Sequence, residues 1–289
     1  MFSSLFQRIR TRLLRERTWC IGFIEGTLDD VLAGREVKVV PMKGEVEGRW
    51  FADPFILRAD DTEIVLLVED YDTQEKKGRI SKLTVAREGY RLKQVDILLD
   101  LPHHLSFPYI IQREGNVYFM PESLRNKGLT IYRLDEATNT CEEVRTLTQI
   151  QLSDAIFAHF IGDDCLIATE YPNDGSRLCV FKENTQANFM LHHSFHFPNG
   201  TARNAGDFFR YDTRLFRPAQ DCGSYYGKGV VIQEVIWQDN QPCFREVRRL
   251  YSSDSRYPSR LHTFNVLNDI MVVDMADWDY PQWVRKMVL

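Results

Sequence analysis

Two aspartates open comparable stretches of this chain, Asp53 in the run FADPF and Asp154 in the run LSDAIF. Acids and amides close the apolar segments that follow such starts: Glu69 and Asp70, Glu122, Glu170, Gln220 and Asp221, and Asp274. Carboxyl groups gathered in one cleft can accept from sugar hydroxyls. As an opposed acid and base or nucleophile, they can also cut a glycosidic bond. Asp53, Asp154 and Glu122 form the candidate catalytic set on that reading. Each aspartate taken singly has a plainer role, capping a turn before Pro54 or in Ser153-Asp154, because short polar side chains commonly do this. Their matched position favours the chemical reading. Trp50 and Phe107 lie beside these acids and offer aromatic faces for a sugar ring. Arg217, in the run RPAQD, suits bidentate capture of a phosphate or a sugar carboxylate. His262, in the run LHTFN, begins a further apolar segment.

Something must carry these residues to one place, and a repeat does so. Five units begin at Phe51, Leu105, Leu152, Ala202 and Arg260. Each shows a short strand, a polar turn such as Asp60-Asp61, Glu114-Gly115 or Asn268-Asp269, and a returning hydrophobic strand ending in an acid or amide. A third strand, as in Arg79–Val85, and a weaker fourth, as in Val95–Leu99, complete a blade-sized unit of roughly 45 to 55 residues. The expected fold is all-β, a five-bladed β-propeller with an N-terminal amphipathic helix. Its first strands line the axis, so Asp53, Phe107, Asp154, the 204–206 stretch and His262 converge there. The fifth unit reaches the end of the sequence short of outer strands, while Trp19–Ile24 has no unit of its own. Residues 19–289 are therefore read as one propeller closed by the N-terminal strand, which hides sheet edges.

Residues 1–18 interleave Phe2, Leu5, Phe6, Ile9, Leu13 and Leu14 with five arginines. The arginines break any signal-peptide core, and the spacing makes a basic amphipathic helix. It is suited to an anionic membrane surface, to a partner transferase, or to packing on the propeller itself. The net charge of −5 argues against nucleic acid as a partner. Six cysteines without CxxC spacing fit reduced thiols. The expected location is cytoplasmic, peripheral at the inner membrane face, and no cofactor is called for by the motifs.

The Asp-Pro of FADPF and the aspartate of SDAIF resemble the five-bladed arabinanases, β-xylosidases and invertases. That resemblance implies a blade-one Asp as base or nucleophile and a blade-three Asp that positions sugar and tunes the acid. It also matches His262 to an axial histidine that holds a hydrated structural calcium. The general acid of those glycosidases is a glutamate near the start of blade four, where this sequence has Arg203-Asn204-Ala205-Gly206. Glu122 or Asp221 would have to take its place. The ordered set FADPF, LSFPYI…MPES, SDAIF, RPAQDCGSYYGKGV and LHTFN is similar to the N-terminal propeller domain of glucosamine inositolphosphorylceramide transferases. The implied function is a carbohydrate-active propeller acting on or binding a glycan or sugar conjugate in cell-surface polysaccharide or glycolipid metabolism. The alternative is a non-catalytic sugar-binding or scaffold propeller working with a separate transferase.

Overall fold

The computed structural model describes residues 16–123, 128–172 and 175–279. Most of the expected basic helix, residues 1–15, lies outside them. Glu16, Arg17 and Thr18, assigned to that helix from the sequence, instead begin the first strand, β1 (Glu16–Glu25). Their alternation with Trp19 and Ile21 suits a strand whose one face is buried. A short helix, α1 (Leu28–Leu32), is started by a capping box between Thr27 and Asp30 and leads to β2 (Lys38–Pro41).

Four complete blades follow in chain order. Blade one is β3 (Arg49–Ala59), β4 (Glu63–Asp72), β5 (Lys77–Ala86) and β6 (Arg91–Leu99). Blade two is β7 (Ser106–Arg113), β8 (Asn116–Glu122), β9 (Leu129–Asp135) and β10 (Thr140–Thr148). Blade three is β11 (Leu152–Phe157), β12 (Cys165–Glu170), β13 (Arg177–Glu183) and β14 (Phe189–His196). Blade four is β15 (Phe209–Tyr211), β16 (Arg214–Asp221), β17 (Gly229–Gln238) and β18 (Gln241–Leu250). Blade five begins with β19 (Phe264–Leu267) and β20 (Ile270–Asp279), then takes β1 and β2 as its third and fourth strands, in the order β19-β20-β1-β2. Cys20 pairs with Met275 and Phe23 with Val272, so the N-terminal segment closes the ring with two strands.

Packing of blade on blade explains the strand patterns. In β4 every residue from Ile64 to Asp70 is buried, because sheet covers both of its faces. The outer β6 and β14 are largely exposed. The turn chemistry matches where the hairpin is tight: Glu114 and Gly115 have φ of 53° and 75°. In blade three the connection between β11 and β12 is longer, spanning 158–164, and in blade four the turn is made by Asp212-Thr213.

One irregularity of the inner strands matters for function. Asp53, Phe107 and Asp154 occupy the same place in β3, β7 and β11, with φ of 49°, 45° and 53°. Each lies in a register break, between Ala52 and Phe55, Ser106 and Tyr109, and Ser153 and Ile156. Left-handed backbone at a non-glycine residue costs on the order of 1–2 kcal/mol. Bulges of this kind re-aim side chains beside functional sites.

Candidate functional site

The three left-handed residues are secured by acids of the preceding blades. The amide of Asp53 donates to Asp274 of β20 at 2.9 Å, that of Phe107 to Asp53 at 3.0 Å, and that of Asp154 to Glu122 of β8 at 2.8 Å. Asp53 thus caps an amide, as the plainer reading holds. The amide belongs to the next blade, however, and the other oxygen of Asp53 faces Nε2 of His262 at 3.6 Å. Nδ1 of His262 lies 2.7 Å from the Asp274 carboxylate, which also accepts from the amides of His262 and Thr263 at 3.0 Å each. Glu69 lies against Nε2 of His104 at 3.6 Å. Nδ1 of His104 accepts from the Gly78 amide at 2.8 Å, so its proton sits on the nitrogen that faces Glu69.

Asp53, Glu69, Glu122, Asp154, His262 and Asp274 are all buried. Burial drives Asp53 well above the usual carboxyl range, with Glu69, Asp274 and Asp154 reinforcing the shift against the opposing charge of His262. Glu69 is likewise driven well up, by burial and then by Asp274, Glu122 and Asp70. Glu122 is pushed up to about 8 by burial and by Asp154, against the pull of Arg203. Burial also disfavours the charged forms of Asp274 and His262. Their mutual attraction wins: Asp274 is held below its ordinary value and His262 above its own. The cluster therefore combines two ion pairs, His262–Asp274 and Arg203–Asp154, with three acids that favour their protonated forms.

These shifts carry a stability consequence. A carboxyl whose folded pKa is raised contributes stability that is full below its unfolded pKa and lost as pH rises through the folded one. For Glu122 that window runs from 4.5 to about 8, and Asp53 and Glu69 act in the same direction. The melting temperature is expected to fall between those limits, by at most about 1.4 kcal/mol of stability per pH unit for each group. Glu122→Gln keeps the acceptor for the Asp154 amide and removes its share, so scanning calorimetry should show the variant gaining on wild type as pH rises. Parallel curves would refute the shift.

The remaining expected residues separate into those that join this cluster and those that do not. Asp154 accepts from Nε of Arg203 at 2.7 Å and from Gln220 at 3.3 Å, so Gln220 joins it. Trp50 stacks on Tyr71 at 4.3 Å and lies in one patch with Trp19, Ala52 and Ala276. Phe107 does not form a wall: its ring is buried edge-on against Phe55 at 4.9 Å, and only its amide serves the site. Glu170 pairs with Arg177 of its own blade at 3.5 Å. Asp221 is held by Arg249 at 2.7 Å and Tyr251 at 3.2 Å. Arg217 is fully buried and donates to Asn204 and Gln233, at 2.8 Å each, and to the carbonyls of Thr201 and Ala202. Its guanidinium lies between Phe197 and Phe244. It grips its own fold, where the sequence suggested an anion.

The resemblance to the five-bladed glycosidases offers His262 as a holder of structural calcium. Among the described residues, Asp53, His262 and Asp274 bring ligand atoms within 4.8 Å of one another. The set does not fit a hard cation, which takes six to eight oxygens. Both ring nitrogens of His262 face acid side chains, and the raised pKa favours an imidazolium, which has no lone pair to give. The imidazolium is itself the cation between the two acids.

Asp274 closes the returning apolar segment of unit five as Glu69 and Glu122 close theirs, and it meets Asp53 and His262 in the cluster. Three further residues of the site were not singled out from the sequence. Trp19 stacks on His262 at 4.0 Å, Tyr226 meets the same ring edge-on at 5.4 Å, and Arg203 lies under Tyr226 at 5.0 Å. No sequence signal links these three, which come from blade five's third strand and from two loops of blade four.

The model of the family described as glucosamine inositolphosphorylceramide transferase 1, N-terminal, matches residues 39–269. Glucosamine inositolphosphorylceramide transferase 1 of Arabidopsis thaliana is 28% identical over 215 residues, which is 71% of this chain and 28% of that protein. The protein of the same name from Oryza sativa subsp. indica is 28% identical over 204 residues, 68% of this chain and 27% of its own length. The chain thus spans under a third of the length of these relatives. Among solved structures, the catalytic domain of the Coprinopsis cinerea GH62 alpha-L-arabinofuranosidase shares the fold with a TM-score of 0.52 and 9% identity, covering 89% of this chain and 97% of that one.

Proposed function

The chain belongs to the family of glucosamine inositolphosphorylceramide transferase 1 N-terminal domains, and from that premise we propose that it recognises the sugar of a glycoconjugate at the axial cluster, beside a transferase activity carried elsewhere. The observation that carries this reading is the state of the acids. Asp53, Glu69 and Glu122 are held toward their protonated forms. A protonated carboxyl both donates and accepts, as a sugar hydroxyl does. Trp50, stacked on Tyr71, and Trp19, stacked on His262, add flat apolar faces next to them. The name of the relatives, which specifies a glucosamine transferase acting on an inositolphosphorylceramide, supports a glycolipid headgroup as the natural conjugate.

Recognition is favoured over cleavage by the ion pairs. Glycoside hydrolysis needs an ionised carboxylate free to act as base or nucleophile opposite a protonated acid. Here Arg203 holds Asp154, and His262 holds Asp274. One observation supports the second reading, cleavage or transfer within this chain: Glu122, pushed up to about 8, suits a general acid near neutral pH.

Both readings meet in one titration. Glucosamine, myo-inositol conjugates and neutral oligosaccharides are added while tryptophan fluorescence and product release are followed. Saturable binding without turnover is the expected result, weakened about ten-fold by Trp50→Ala or Asp53→Asn, since each removes an interaction of roughly 1.5 kcal/mol. Turnover that declines as pH passes about 8 and vanishes in Glu122→Gln would establish the second reading. No saturable binding of any sugar would end both.

A further inference from the structure

We propose that Arg17 and Arg260, at the rim of blade five, form a site for an oxyanion carried by the bound sugar conjugate, a phosphate or a carboxylate. The inference deepens the sugar-recognition reading and rests on it for the identity of the conjugate, though not for the anion site itself.

Sheet register brings the two arginines together. Arg260 bridges to Ala276 of β20, and Ala276 pairs on its other side with Trp19 of β1. One step along the same face, Trp278 pairs with Arg17. Residues directly opposite, or two apart on one strand, share a sheet face. Arg17 and Arg260 therefore flank β20 on the face that also carries Trp19, the residue stacked on His262.

Their side chains are laid out for a ligand. The Arg260 guanidinium lies 5.0 Å from the Tyr225 ring and 5.9 Å from Tyr226, and that of Arg17 lies 4.8 Å from Trp278. Tyr225 is tied in place by its hydroxyl, which donates to the Ser259 carbonyl at 3.1 Å. Arg256, a few residues away, pairs with Glu45, whereas among the described residues no carboxylate pairs with Arg17 or Arg260. Nη1 of Arg260 is buried and has no acceptor. A buried donor left unpaired is destabilising, the more so when it is charged. Burial lowers the pKa of both arginines, and Arg260 lowers that of Arg17 further. Two partly desolvated like charges with a spare donor are relieved by an anion between them, and guanidinium forks match the oxygens of phosphate and carboxylate. Tyr226 joins this rim to the acid cluster, since it contacts Arg260, Arg203 and His262. A conjugate whose sugar meets the acids would place a charged substituent on the arginines.

The test is calorimetric titration of the full chain with inorganic phosphate, D-glucuronate, glucose 6-phosphate and D-glucose. Saturable binding of phosphate is expected in wild type and in Arg256→Gln. Arg17→Gln and Arg260→Gln should each weaken it ten-fold or more. Neither side chain carries a hydrogen bond of the fold among the described residues, so both variants should melt close to wild type, which thermal denaturation checks. Preference for glucose 6-phosphate or for glucuronate over glucose identifies the substituent as phosphate or carboxylate. Phosphate affinity that is undetectable, or unchanged in both variants, overturns the inference. Sugar binding with no preference for a charged form also overturns it and leaves the proposed function standing. Phosphate binding with no affinity for any sugar supports the anion site and removes the proposed function.

Discussion

Asp274→Ala should destabilise the propeller by about 3–5 kcal/mol, the cost of stripping one partner from a buried ion pair. Asp274 is fully buried and accepts from the amides of Asp53, His262 and Thr263 as well as from the His262 ring. Alanine leaves all of these donors facing one another in a cavity. The amide of Asp53 is among them, so the left-handed turn that aims Asp53 loses its anchor. Scanning calorimetry should record a fall in melting temperature on the order of 10 °C. Asp274→Asn separates charge from shape. With the carboxylate charge gone, burial dominates His262, and its pKa, followed by NMR, should drop below the ordinary imidazole value. A stability loss under about 1 kcal/mol in the alanine variant, or an unmoved His262 titration in the asparagine variant, would show that the pair does not organise the axis.

Arg217→Ala is expected to be as damaging, about 3–5 kcal/mol by urea denaturation, for a different reason. The arginine crosses the space between Phe197 and Phe244 and feeds the acceptors of Asn204, Gln233, Thr201 and Ala202. Removing it creates a cavity lined by unsatisfied oxygens, and the two penalties add. Arg217→Lys, with three donors on one nitrogen, should recover about half of the loss. Burial pushes the Arg217 pKa down to about 9. Its charge is therefore retained at neutral pH, but at a desolvation cost that only its hydrogen bonds offset. A ligand-gripping arginine would give the opposite pattern, an intact fold with lost anion binding, and that outcome would restore the expectation drawn from the sequence.

The two variants mark where reading the sequence succeeds and where it stops. Five matched hairpins were legible because a blade is a local structure: turn residues, strand lengths and apolar runs all act within about 50 residues. The pairing of Cys20–Ile24 with the last blade was also legible, since an apolar run without a unit and a unit without outer strands have one economical solution. Asp53 and Asp154 could be singled out because the repeat places them alike at the inner strands, and Glu122 and Asp274 because each closes the returning apolar segment of its unit.

Contact across blades was decided by the tertiary structure alone. Phe107 shares backbone conformation and register with Asp53 and Asp154, yet its ring enters the core. Arg217 and Arg203 stand in similarly polar runs, but one is spent inside blade four while the other clamps Asp154 of blade three. The partners that decide their roles come from other blades or loops, so no local pattern encodes them. Trp19 and His262 stack from opposite ends of the chain, and Arg17 reaches the face of Arg260 only because ring closure sets β1 beside β20. The sequence by itself determined the blades and the recurrence of acids at their inner ends. Which acids keep a proton, which cations are internally paired and which arginines stay open to a ligand followed from burial and inter-blade distance, quantities that exist only once the ring is closed.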